Sequence, residues 1–144
     1  MSSTDPFDNF KKEVANSPEY KDYEELQKLF TQCNNYINLA NKQVKDSLSL
    51  GFHSNQYEAK YDYPNNVFYT KLGIEHPVLH TYNFSPKFIC TYKKPELIVE
   101  AEESENRLEL YREKSNAINW SIFQHNIEEY YKQGITKLGG KVKK

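Results

Sequence analysis

The sequence predicts a mainly α-helical, elongated protein: a hairpin of two long helices joined by an extended, irregular connector rich in tyrosine and proline, with room for short strands. Three observations predict it. Between Pro18 and Gly51 no proline or glycine interrupts the chain. Apolar residues recur there, and again after Pro95, at alternating spacings of three and four, the signature of one helical face. The forty-odd residues between the two stretches carry Pro64, Pro77 and Pro86 and no helical period.

A short helix is expected over residues 5–15. Asp5 can cap it, Pro6 suits the first helical position, and Phe7, Phe10 and Val14 form one stripe. Asn16 and Ser17 before Pro18 repeat the start signal, with Glu19 placing negative charge in the first turn. The helix over 18–50 would be about 50 Å long. Its seam of Tyr23, Leu26, Phe30, Cys33, Ile37, Ala40 and Val44 reads as a coiled coil or long hairpin.

In the connector, residues 52–94, Pro64-Asn65-Asn66 signals a turn. Val67–Tyr69 and Phe88–Tyr92 alternate as short strands would. An isolated pair of short strands is only marginally stable, so something should cover it. The second long helix is expected over 95–138, with Leu97, Ala101, Ser104, Leu108, Tyr111, Ser115, Ile118 and Ile122 on one stripe. A diverging stripe of Trp120, Phe123, Ile127 and Tyr130 implies a kink, and the polar run Glu102–Arg107 is the place for a break. Gly139 and Gly140 end it, leaving a basic tail over 139–144. A compact chain of this length is near 40 Å wide, with a radius of gyration of about 15 Å, so the long helix should project from it. The 144 residues are read as a single unit.

Composition narrows the function. Leu, Ile, Val and Phe make up 33 of 144 residues, little above the roughly 20% below which chains stay disordered. With 12 tyrosines and 8 phenylalanines, much of the buried surface must come from rings that favour half-wet places and interfaces. A net charge of -1, with Arg107 and Arg112 the only arginines, provides no field or phosphate-reading forks for nucleic acid. No apolar run approaches the ~20 residues of a spanning helix, and the start MSSTDPFDNF has no secretory character. The expected address is intracellular: mitochondrial without an obvious cleavable presequence, or cytoplasmic or cytoskeletal.

Candidate chemistry is sparse along the chain. Cys33 sits on the seam as a small apolar residue, while Cys90 has Lys93 and Lys94 nearby. Among His53, His76, His80 and His125, His76 and His80 have ligand spacing, but Pro77 removes the helix that would bring them to one face. Glu96, Glu100, Glu102, Glu103 and Glu105 read as a helix start and a solvated face. No nucleophile motif, di-iron pattern or phosphate loop occurs. Asn83-Phe84-Ser85 and Asn119-Trp120-Ser121 match the glycosylation pattern without a secretory context.

What remains is the aromatic string Phe52, Tyr57, Tyr61, Tyr63, Phe68, Tyr69, Tyr82, Phe84, Phe88 and Tyr92. The layout resembles that of accessory subunits of large assemblies, such as respiratory complexes or cytoskeletal arrays, in which long helices and extended belts cross their neighbours. The expectation is therefore a non-enzymatic structural or accessory subunit acting through protein contacts, with a free-standing helical adaptor as the alternative. Its partners would be other protein subunits, with no nucleic acid, small-molecule substrate, cofactor or metal. It would not span a membrane, though it could sit beside a membrane complex. The expected interface residues are Tyr61, Tyr63, Phe68, Tyr69, Phe84, Trp120 and Phe123, on a belt ordered only against another chain.

Overall fold

The computed structural model describes residues 6–47, 53–76, 78–79 and 82–137. Helix α1 spans Pro6–Asn16 and helix α2 Pro18–Ser47. Ser17 joins them: its hydroxyl donates to the Val14 carbonyl at 2.7 Å and accepts from the Tyr20 amide at 3.2 Å. One side chain thus ends the first helix and caps the second. Strands β1 (His53–Asp62), β2 (Val67–Glu75), β3 (Tyr82–Phe84), β4 (Lys87–Lys93), β5 (Glu96–Glu103) and β6 (Asn106–Lys114) follow, and helix α3 (Trp120–Lys137) comes after them. All pairings are antiparallel, in the order β1-β2-β4-β5-β6, with β3 pairing the end of β2.

The architecture is a two-layer α+β sandwich, and it corrects the mainly α-helical hairpin. Among the described residues, three α-helices accompany one antiparallel sheet of six strands, five in a single path and β3 beside β2. Where a second long helix was expected over 95–138, the chain forms β5, β6 and α3. The cause is an ambiguity of period. Leu97 and Ala101 lie four apart, which suits a helix, but Leu97, Val99 and Ala101 are also two apart and all three are buried, as one face of a strand requires. The polar run Glu102–Arg107 holds the β5–β6 turn, where Ser104 takes φ 55°.

The irregular connector is also corrected, because residues 53–62, 67–75 and 87–93 are regular strands in register. Phe68 faces Cys90 and Tyr69 faces Ile89. The segments read as candidate short strands pair with each other here, inside longer strands.

The coiled coil is likewise overturned. Leu26, Phe30, Cys33, Ile37, Ala40 and Val44 are buried, yet they pack against the sheet and α3 rather than a second long helix. A stripe at spacings of three and four fits a sheet as well as a helix. Phe68, Leu72, Phe88, Cys90, Leu97 and Val99 close the core from the sheet side, and Phe123, Ile127, Tyr131 and Ile135 from α3.

The opposite face of the sheet carries Tyr69 and charged side chains around Ile89 and Ile98, which are themselves buried. Arg107 donates to Glu102 at 2.7 Å and Arg112 to Glu109 at 2.7 Å, exposed pairs each worth about 0–1 kcal/mol. Asp5, the 48–52 segment with Phe52 and Gly51, Pro77, His80 and the basic tail 139–144 lie outside the described residues.

Candidate functional site

The first turns of α2 place Tyr20, Tyr23, Leu26 and Phe30 at spacings of three and four, hence on one face of the helix. Opposite them is the link between β1 and β2, a single 3-10 turn over Tyr63–Asn65. Sequence dictates that turn. The Asp62 carboxylate accepts from the Asn65 amide at 3.4 Å and the Asn65 side chain at 2.9 Å. Pro64 presets one dihedral, and Asn66 tolerates the left-handed conformation at φ 57°. The Asn66 carbonyl then accepts the Tyr92 amide at 2.9 Å, tying the turn to β4.

Between helix and turn, rings run from surface to core. Tyr23 meets Tyr63 edge-on at 4.9 Å, and Tyr63 stacks on Tyr61 at 5.9 Å and Phe30 at 6.3 Å. Tyr61 and Phe30 reach the buried Phe68 at 4.6 and 6.2 Å. Ring pairs at such separations add about 0.5–1.5 kcal/mol each beyond area burial. Burial chiefly pushes the Tyr61 and Tyr63 hydroxyls above their ordinary range. A hydrogen bond with Asn34 opposes the shift at Tyr61, while Tyr23 and Tyr61 add to it at Tyr63. At the surface the rings open into a cleft of about 410 Å³, walled by Tyr23, Tyr63 and Pro64, floored by Leu26 and rimmed by Glu19, Asp22 and Asn66.

Of the expected interface residues, Tyr61, Tyr63 and Phe68 meet in this cluster, with Phe68 wholly in the core. Trp120 and Phe123 meet elsewhere: Trp120 stacks on Tyr36 at 5.0 Å and touches Phe123 at 5.1 Å, and Phe123 is buried. Tyr69 is on the opposite face of the sheet, its ring covered by the Lys87 ammonium at 4.0 Å. Phe84 lies under α3, against Tyr131 at 5.8 Å. Sequence reading missed Tyr20 and the Tyr23 rim. The available signal was the Tyr-x-x-Tyr spacing in an acidic first turn.

Other candidate groups have structural partners. The His76 ring nitrogen accepts the amides of Val78 and Leu79 at 3.1 Å, so it caps a turn. Asn119 caps α3, accepting from the Ser121 and Ile122 amides at 3.1 and 3.2 Å. Among the described residues, no three His, Cys, Asp or Glu side chains gather in a metal-binding arrangement, and no helix is long and apolar enough to cross a membrane.

Fold and site together define an open antiparallel sheet covered on one face by helices, with an aromatic cleft where helix and turn meet. No family model, curated protein or solved structure matches the chain.

Proposed function

We propose that the protein is a non-enzymatic protein-interaction module, an adaptor that folds by itself and docks a protein partner. The docking edge is formed by α1, the first turns of α2 and the β1–β2 turn. One observation carries the reading: Phe7 and Phe10 of α1 are 66% and 64% exposed while no described side chain of that helix joins the core. A helix that exposes large apolar residues next to a helix start bearing an aromatic cleft is the kind of surface that marks interaction sites.

The second reading is an obligate accessory subunit, which the same exposed rings favour. The internal packing of the sheet supports the adaptor instead, because β2 and β4 each pair on both sides within the chain. Sedimentation and hydrogen exchange of the isolated chain separate the two. The adaptor should be a monodisperse monomer whose amides at Phe68, Leu72 and Cys90 exchange slowly. Self-association, or fast exchange along β2 and β4, would transfer the assignment to the subunit. A Phe7→Asp, Phe10→Asp variant should keep the fold and lose the partner that the unaltered chain retains; equal retention would remove α1 from the docking edge.

A further inference from the structure

We infer that the cleft between α2 and the β1–β2 turn receives a lysine or arginine side chain from the partner. The inference rests on the interaction-module reading and gives one of its surfaces a chemical specificity.

The walls are ring surfaces. Tyr23 is 38% exposed, and its edge-on contact with Tyr63 at 4.9 Å turns the two rings at 71° to each other. Rings in contact at that distance leave no gap between them, so a side chain laid in the cleft meets their outer surfaces. An aliphatic stem suits Leu26 and Pro64, and an ammonium or guanidinium head is drawn to a tyrosine face.

The mouth favours positive charge over neutral apolar groups. Glu19 and Asp22 rim the cleft, and no lysine or arginine lines it. The chain itself shows that a cation gathers at this rim, since the Lys94 ammonium stands 3.6 Å from Asp22 with both groups about two-thirds exposed. Glu19 has no such partner among the described ion pairs. The acidic pair alone would be an ordinary first-turn pattern. What sets this place apart is the preformed cavity behind it, held on one side by the Asp62–Asn65 hydrogen bonds and the Tyr92–Asn66 backbone bond. A turn held by these bonds presents Tyr63 and Pro64 in place, so little ordering entropy is spent on that side when a guest binds.

The test is a nuclear magnetic resonance titration of the full-length isotopically labelled protein with two capped peptides, one carrying a single lysine between alanines and one carrying norleucine in its place. Saturable shifts at Tyr23, Tyr63 and Asn66 are expected with the lysine peptide alone, weakening as salt is raised. Glu19→Gln and Tyr63→Leu should each weaken binding about two- to five-fold, with Glu19→Gln leaving the rest of the spectrum in place. Equal binding of the norleucine peptide would show an apolar slot and overturn the inference. So would shifts centred on the acidic β5–β6 turn, or none at all. Each of these leaves the α1 docking result unaffected, so the two readings fail separately.

Discussion

Cys33 of α2 and Cys90 of β4 are neighbours across the helix–sheet interface, both free and fully buried. Burial first, and the bond to Cys90 second, push the Cys33 thiol well above its ordinary range. The reactive thiolate is therefore suppressed as well as shielded. Both cysteines should resist an aromatic disulfide reagent in the native protein and react together when denaturant separates α2 from the sheet. Rapid labelling of either one in the folded chain would contradict this packing.

Gly134 is in the interior of α3, where alanine normally stabilises a helix by up to about 1 kcal/mol. The opposite sign is expected here. A Cβ at this position would fall 2.0 Å from the tip of the Phe84 ring and within 2.8 Å of two further ring atoms. The ring occupies the space a side chain would need, so Gly134→Ala should destabilise by about 1–3 kcal/mol. Urea unfolding provides the measurement. In a Phe84→Leu background the penalty should shrink, and a penalty unchanged by that replacement would remove the ring as its cause.

Helix α2 was legible in the sequence because nothing competes with its period: no proline or glycine breaks it, and its stripe stays on one face for 30 residues. The sheet was not. Strands β5 and β6 are written in Glu, Ala, Leu, Arg and Lys, good helix formers, because their outer positions carry exposed charge pairs. Their pairing with β4 and with each other overrides that propensity. The β5–β6 turn lacks the usual Asn-Gly or Gly signal, with Ser104 filling the left-handed position. Of the cleft, Tyr61 and Tyr63 were visible as unpatterned aromatics. Tyr23 was hidden inside an apparent seam, since a helix face reads the same whether it meets protein or opens to solvent.

Alkaline pH should unfold the chain through its hydroxyls and thiol. Tyr61, Tyr63 and Tyr130 are all held above the ordinary tyrosine value of 10.0, chiefly by burial, with the Glu103 carboxylate adding a hydrogen bond and negative charge at Tyr130. The folded state thus keeps protons that the unfolded chain releases. The stabilisation is complete below pH 9.0, the ordinary value for the Cys33 thiol, and is lost as pH rises through the shifted values. Circular dichroism should be lost above about pH 10. Tyr130→Phe should move that transition to higher pH, and an unmoved transition would contradict the assignment.

Ser54 is the joint of a polar bridge linking α2, β1 and α3. Its hydroxyl bonds the Asn41 side-chain oxygen and lies 2.7 Å from the Tyr131 hydroxyl, while the Asn41 amide donates to the Ser54 carbonyl at 3.4 Å. Ser54 is 2% and Tyr131 0% exposed, so water cannot readily replace a missing partner. Ser54→Ala removes almost no volume. Its cost should therefore come from the polar atoms it orphans, about 1–3 kcal/mol. Tyr131→Phe should cost less, because the Ser54 hydroxyl still donates to the Asn41 side-chain oxygen. Asymmetry makes the combination informative: once the tyrosine hydroxyl is gone, deleting the serine hydroxyl strands only the asparagine oxygen, so the double variant should be more stable than the sum of the single losses by ~0.5–3 kcal/mol. Strict additivity in urea unfolding would mean that the two hydroxyls do not share a bond, and that α3 is held to β1 by its apolar contacts alone.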